Sequence, residues 1–310
     1  MIITVTLNTA LDHTLFVHAL PLHTTVRAHR SMFSVAGKAT DVSWVLSELG
    51  EDNLAMGFAA GRFGTQMDAM LRQKGVATDF VWVGGETRLN TVIVADDGLP
   101  QTTVTTDTLE VTGEHVEMLR DRFTRALERA SAVAISGSLP HGVDSSIYAE
   151  LIRQAKNRGV PVVLDASGMP LKLGLEARPA VIKPNQAELS YLAGRDLEGI
   201  AEVRTAAGEL NTQSGVAVVA TLAEQGALAA FEGKVMQIPA LPVQVISPAG
   251  AGDAVVAGIA VALARREPLE AGLRLGFAAA GAVVARPGTA DCRREDIDAL
   301  LPLVNLIPMT

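Results

Sequence analysis

Near the carboxyl end of the chain, Gly250-Ala251-Gly252-Asp253 opens a run of small apolar residues, 254–264. Two glycines around one alanine let the backbone come close to a ligand and turn its N–H groups outward. At the start of a helix those groups meet the positive end of the dipole, which favours an anion, typically phosphate. Asp253 falls in the first helical turn, where a carboxylate is expected to stay ionised. An acceptor-only side chain beside an anion hole suits phosphoryl transfer: one orients a hydroxyl, the other holds developing charge. The bland alternative is an Asp that only complements the helix dipole.

Other residues stand out by type and spacing. Asp12 follows a strand over residues 2–8 and either ends it, caps a turn, or offers two acceptor oxygens to adjacent hydroxyls. Period-two geometry puts Arg88 and Asn90 on one strand face, alternating with Leu89 and Thr91; such an Arg ordinarily guards a sheet edge. Asp41 precedes Val42, Val45, Leu46 and Leu49, a helical stripe ending at Gly50, and reads equally as its N-cap. Gly37-Lys38-Ala39-Thr40 is not a P-loop, because the upstream glycine and the matching strand are missing. Ser138 lies in a loop after the strand over 132–135, at the edge where open α/β sheets place ligands, or simply satisfies a turn. Asn185 and Glu188 have capping-box spacing before a helix.

These residues need a scaffold. At 310 residues, 48% apolar and 19% charged, the chain reads as one globular unit, residues 1–310. Only 4% is aromatic, so Ala, Val and Leu must build the core, as in parallel sheets covered by helices. From about residue 53 strands and helices alternate: a strand at 54–58, a helix to about 74, a helix over 116–130, strands at 161–165, 180–183 and 216–221. A strand containing Val243 and Val245 is expected before the glycine loop. Segments 13–35, with a turn at Pro21-Leu22-His23-Thr24, and 80–94, with another strand at about 100–105, fall outside that rhythm. A net charge of −8 argues against a nucleic-acid surface. A single cysteine, Cys292, excludes a disulfide or a Cys-based zinc site. No apolar run reaches ~18 residues and no leader is evident, so no membrane contact and a cytoplasmic location are expected.

Gly-Ala-Gly-Asp before a small-residue helix resembles the signature of the ribokinase/PfkB family of sugar kinases, and the resemblance runs from residue 2 to about 300. Ser247, where most of the family has Asp, looks more like the branch of 1-phosphofructokinase and tagatose-6-phosphate kinase. The resemblance implies a ribokinase-like three-layer αβα domain with a mostly parallel sheet, plus a small β-sheet lid from about 12–35 and 80–105. It implies ATP and Mg²⁺, with Asp253 as catalytic base and Gly250, Ala251 and Gly252 as the anion hole. The lid would also join two copies as a homodimer.

By the same resemblance Asp12 binds sugar hydroxyls, although Thr9 replaces the family's Pro. The Thr-Arg-x-Asn pattern puts Arg88, beside Asn90, on a phosphate already carried by the substrate, with Lys38 and Arg27 as further cations. Residues 36–41 depart from Gly-Gly-Lys-Gly-x-Asn: Gly37 and Lys38 remain, two glycines are Ala36 and Ala39, and Asp41 replaces the Asn, which implies a shifted sugar specificity. Ser138 touches sugar hydroxyls. Lys183, Asn185 and Glu188 fall in a Lys-Pro-Asn-x-x-Glu pattern near ATP and Mg²⁺, the metal reached through water. Thr221 and Gly226 belong to a nucleotide-binding turn in which Thr221 and Ala223 are substituted, and Pro287-Gly288-Thr289 would close the adenine pocket. The expected activity is phosphorylation of a hydroxymethyl group on a sugar phosphate. A kinase of an unphosphorylated sugar or nucleoside, or a silent sugar- or nucleotide-binding regulator, are the alternatives. A nicotinamide dehydrogenase is disfavoured, since no Gly-x-Gly-x-x-Gly follows the first strand.

Overall fold

A computed structural model describes residues 1–96 and 101–309. The chain starts with β1 (Ile2–Thr6), buried throughout, then leaves the core through β2 (Ala10–Val17) and returns through β3 (Arg30–Ala36). An alternating stretch follows: α1 (Lys38–Glu48), β4 (Asn53–Ala59), α2 (Gly61–Gln73) and β5 (Ala77–Trp82). Four short strands come next: β6 (Gly84–Gly85), β7 (Arg88–Ala95), β8 (Thr102–Val104) and β9 (Leu109–Glu110). Alternation resumes with α3 (Gly113–Ala126), β10 (Ala132–Ser136), α4 (Ile147–Asn157), β11 (Val162–Asp165), α5 (Gly168–Glu176) and β12 (Val181–Ile182). Helices α6 (Gln186–Ala193) and α7 (Ile200–Ser214) lead to β13 (Ala217–Thr221), β14 (Ala227–Phe231) and β15 (Lys234–Ile238). The chain closes with α8 (Ala251–Arg265), α9 (Leu269–Val284), α10 (Arg294–Leu300) and β16 (Ile307–Pro308).

The large sheet runs β16-β15-β14-β13-β12-β11-β10-β1-β4-β5, parallel from β13 to β5 and antiparallel at the β14–β16 edge. Alternation along β1 explains the layers. Ile3 and Val5 join one apolar cluster with Tyr148, Leu151 and Phe123, whereas Ile2 joins another with Val42, Val256 and Ala279. Both faces of the sheet are therefore covered by helices, which gives the ribokinase-like α/β arrangement. No helix of the described residues is long and apolar enough to cross a membrane.

A separate four-stranded sheet, β3-β2-β7-β8, forms the lid. In it Ala10 lies opposite Arg88 and Asp12 opposite Asn90. Two expectations need correction. Asp12 sits inside β2 rather than ending a strand, because the chain enters the lid at Ala10. Residues 80–82 belong to the large sheet, not the lid: β5 pairs in parallel with β4, and Phe80 and Val81 are buried. The lid strand expected at about 100–105 is β8, Thr102–Val104, while residues 97–100 of the expected lid lie outside the described residues.

No strand forms around Val243 and Val245 either. The amides of Ile246 and Ser247 both donate to the carbonyl of Val284, which docks this segment on the end of α9 and leaves Val245 exposed. Helix α8 is the opposite case, with an unbroken buried run from Asp253 to Ala262. It packs on α9 through glycines: a Cβ on Gly258 would lie 2.2 Å from the amide nitrogen of Gly276. Only backbone-to-backbone contact fits there, so the helix carrying Asp253 is fixed in place.

Candidate active site

The lid supplies one side of the site. Asp12 is buried, and its two oxygens accept from Asn90 Nδ2 at 2.7 Å and from Thr289 Oγ1 at 2.7 Å. Burial raises its carboxyl above the ordinary range, against the pull of these bonds and of Arg88. Arg88 donates to the Asn8 carbonyl and to Thr105 Oγ1, both at 3.2 Å. Thr105 in turn donates to Asn90 Oδ1 at 2.7 Å. Burial lowers the guanidinium's proton affinity, opposed by Asp12, Asp107 and Asp41. Ser138 is exposed and accepts from Asn8 Nδ2 at 3.2 Å. Arg27 lies on the exposed β2–β3 loop, with no contact to this network among the described residues.

Asp41 is not a helix cap. Gly37 occupies the N-cap of α1 with φ +96°, and Asp41 lies in the first turn, buried, with Oδ1 lacking a partner among the described residues. Burial drives its carboxyl well above the usual range, and the charges of Asp253 and Asp12 add to the effect. Its carboxyl thus lies within the fields of one carboxylate from β2 and one from α8.

Opposite the lid, Asp165 at the end of β11 is the residue that sequence reasoning missed. It is buried and accepts from Lys38 Nζ at 2.8 Å, with Lys183 Nζ at 3.2 Å. These two cations hold its carboxyl below the usual range against the cost of burial. Its place at the carboxyl end of a parallel strand was the available signal. The Lys38 ammonium is held by Asp165 and feels Asp253 and Glu188.

Asp253 follows the left-handed N-cap Gly250, φ +85°, where an added Cβ would lie 2.4 Å from the amide nitrogen of Ala290. Its Oδ1 is buried without a partner among the described residues. Burial, reinforced by Asp165, pushes its carboxyl up to about 7, while Lys38 and Lys183 pull it down. The expectation of an ordinary ionised carboxylate is therefore corrected: desolvation outweighs the pull of the two lysines. Lys183 Nζ stands 3.2 Å from where a Cβ on Gly252 would be, so ammonium and loop form one face.

Asn185 and Glu188 form the expected capping box, with both reciprocal bonds at 2.8 Å. Asn185 also bridges to Thr221, which joins the β12 and β13 loops. In the next turn Ala223 is held at φ +50°, a left-handed position, beside Gly226 at φ +84°. The turn Pro287-Gly288-Thr289 meets the small sheet. Thr289 reaches Asp12, and the turn lines a small crevice with Thr14, Phe16 and Val92 of the lid. It meets the lid because Ala290, next in the chain, packs on Gly250.

Arranged this way, the cleft has hydroxyl acceptors and one guanidinium on the lid side. On the other side it has an unpartnered carboxylate beside two ammonium groups and a helix N-terminus, a setting for negative charge. Comparison with known proteins agrees. Residues 5–296 match the family described as pfkB family carbohydrate kinase. Phosphofructokinase-2 from Escherichia coli, in complex with fructose-6-phosphate, is 28% identical over 97% of this chain and 98% of that one, with a TM-score of 0.89. A possible 1-phosphofructokinase from Thermotoga maritima is 29% identical over 100% and 99%, at 0.90. Arabidopsis thaliana ribokinase, complexed with ribose and ATP, shares the fold at 23% identity over 97% and 98%, at 0.77.

Proposed function

The chain belongs to the pfkB family of carbohydrate kinases, and from that premise we propose that it transfers a phosphoryl group from ATP, with Mg²⁺, to a hydroxymethyl group of a sugar phosphate. The substrate class is of the fructose 1-phosphate, fructose 6-phosphate or tagatose 6-phosphate type. One observation carries this reading: Asp12 accepts from Thr289 Oγ1 at 2.7 Å, and Ala290, next in the chain, packs on Gly250 at the start of the Asp253 helix, so residues from the two ends of the chain are brought to one place. A hydroxyl acceptor and a base then face one substrate.

The residues fit a nucleotide phosphate. The Gly250–Gly252 loop presents amides at a helix N-terminus, Lys183 stands against Gly252, and Asp253 Oδ1 is free to accept. When bound, ATP supplies the phosphoryl group and Mg²⁺ neutralises part of its charge. Asn185 and Glu188 would face the metal, through water, and the Thr221–Gly226 turn would face the nucleotide. Asp253 aligns the acceptor hydroxyl and takes its proton as the new O–P bond forms. Amides of residues 250–252 and the Lys183 ammonium oppose the charge that develops on the transferring group. Asp12, pre-oriented by Asn90 and Thr289, receives sugar hydroxyls, and Arg88 takes the phosphate already present.

Two copies pair, in this reading, through the outer lid face, where Phe33 and Val104 are exposed. One observation favours a second substrate class. The Lys38 ammonium is already engaged by the Asp165 carboxylate, which suits an unphosphorylated sugar. ADP release measured over fructose 1-phosphate, fructose 6-phosphate, tagatose 6-phosphate and free sugars decides between them. Turnover confined to free sugars discards the sugar-phosphate reading.

A further inference from the structure

Far from this cleft the lid carries a second cluster of chemically competent side chains. Four of the six histidines of the chain, His13, His18, His23 and His29, fall within seventeen residues. His13 is committed to stacking on Phe33, with ring centroids 4.4 Å apart. His18 and His29 are exposed and lie just beyond the ends of β2 and β3, and Asp96 just beyond β7. Backbone bonds set their positions: the His29 amide donates to Phe16 O at 2.9 Å and the Asp96 amide to Val17 O at 3.0 Å. His18 Nδ1 is 2.9 Å from Asp96 Oδ2, and the two imidazoles stack with centroids 4.7 Å apart. One ligand atom from each of the three residues lies within 4.8 Å of the other two.

We propose that His18, His29 and Asp96 bind one late first-row divalent cation, Zn²⁺ in the first instance, at the outer rim of the lid. Two imidazoles and one carboxylate suit Zn²⁺, Ni²⁺ or Cu²⁺ and not Mg²⁺, so this site is chemically separate from the metal that accompanies ATP. A tetrahedron with bonds of 2.0–2.1 Å has ligand atoms roughly 3.3 Å apart. The cluster reaches that size by contracting through rotation of exposed side chains, which costs no buried contact. Water fills the remaining coordination positions.

The ion joins three strand ends that the sheet ladder, the His18–Asp96 contact and the imidazole stack already bring together. It closes the β2–β3 loop and ties it to β7, the strand that carries Arg88 and Asn90. The site is six residues along β2 from Asp12, roughly 20 Å at 3.3–3.4 Å per residue. Occupancy therefore stiffens the lid without entering the cleft.

The test uses the untagged full-length protein stripped with EDTA, titrated with Zn²⁺ by calorimetry, and with Co²⁺ followed by its visible absorption. One Zn²⁺ per chain is expected, at least tenfold weaker in His18→Asn and in His29→Asn and unchanged in His23→Asn, whose neighbouring imidazole is outside the cluster. Zn²⁺ should raise the melting temperature of the parent chain and not of the first two variants. Absence of binding tighter than about 1 mM, an affinity in His18→Asn or His29→Asn equal to that of the parent chain, or loss in His23→Asn overturns the assignment.

Discussion

Asp253→Asn separates what the carboxylate does for chemistry from what it costs the fold. Its carboxyl is pushed up to about 7 from an ordinary 3.8. At about 1.4 kcal/mol for each tenfold change in proton affinity, ionising it in the folded chain costs about 4 kcal/mol relative to the unfolded one. The sign follows from the folded state binding the proton more tightly. This stability is complete below pH 4, declines as pH rises, and is lost above about 7. Asparagine is neutral at every pH and escapes that penalty, which is already net of the attraction to Lys38 and Lys183, so a gain of about 2–4 kcal/mol, the upper figure being the full penalty, is expected at pH 8. With an unfolding entropy near 2.1 cal/mol/K per residue over 310 residues, that is roughly 3–6 °C in melting temperature, and nothing at pH 4. Turnover should fall by about 10²–10⁴ or more, with ATP binding kept. In the parent, kcat/KM should rise with pH to a plateau above about 7. Calorimetric melting at both pH values and coupled ADP release measure all three. A variant that is less stable at pH 8, or that retains near-normal turnover, refutes the assignment of Asp253 as a buried base.

Arg88→Ala should raise KM for a sugar phosphate about 10–100-fold, with less effect on kcat, as loss of a charge-assisted contact worth about 1.5–3 kcal/mol implies; steady-state kinetics against a free sugar supplies the control. Gly250→Ala forces a Cβ into the backbone of Ala290 at a left-handed φ and should cost more than about 2 kcal/mol along with most activity; denaturant midpoints would register it. Ala223→Gly should do the reverse, stabilising by about 0.5–1 kcal/mol through relief of a left-handed alanine, with KM for ATP unchanged or lower. Phe33→Asp should convert a lid-paired dimer to monomer in sedimentation, leaving the melting temperature of the monomer within about 2 °C of the parent.

Local signals were legible in the sequence and long-range ones were not. The Asn185–Glu188 capping box, the α1 stripe and the helix after Gly250 depend on neighbours three or four residues away, and all appear as expected. Asp12 and Asn90 could be placed on strands, yet only the lid register brings them together. Period-two alternation told that residues 80–82 form a strand but not which sheet takes it, and Val243/Val245 imitate alternation on a surface segment. Asp165 escaped notice because its meaning lies in Lys38 and Lys183, brought to it by separate crossovers. Asp41 looked like a cap because burial cannot be read from one turn of helix. The elevated carboxyls of Asp41 and Asp253 are products of that same crowding.

The glycine seam between α8 and α9 has a consequence for how such a chain can change. A side chain at Gly258 or Gly276 would collide with main chain, so the helix presenting Asp253 tolerates little adjustment, and the half of the molecule built on it is a fixed platform. The lid is joined to it through Thr289, and among the described residues the β2–β3 loop carries no glycine contact of this kind. New acceptor molecules are therefore accommodated by redrawing the lid and residues 36–41, while the donor half stays as it is.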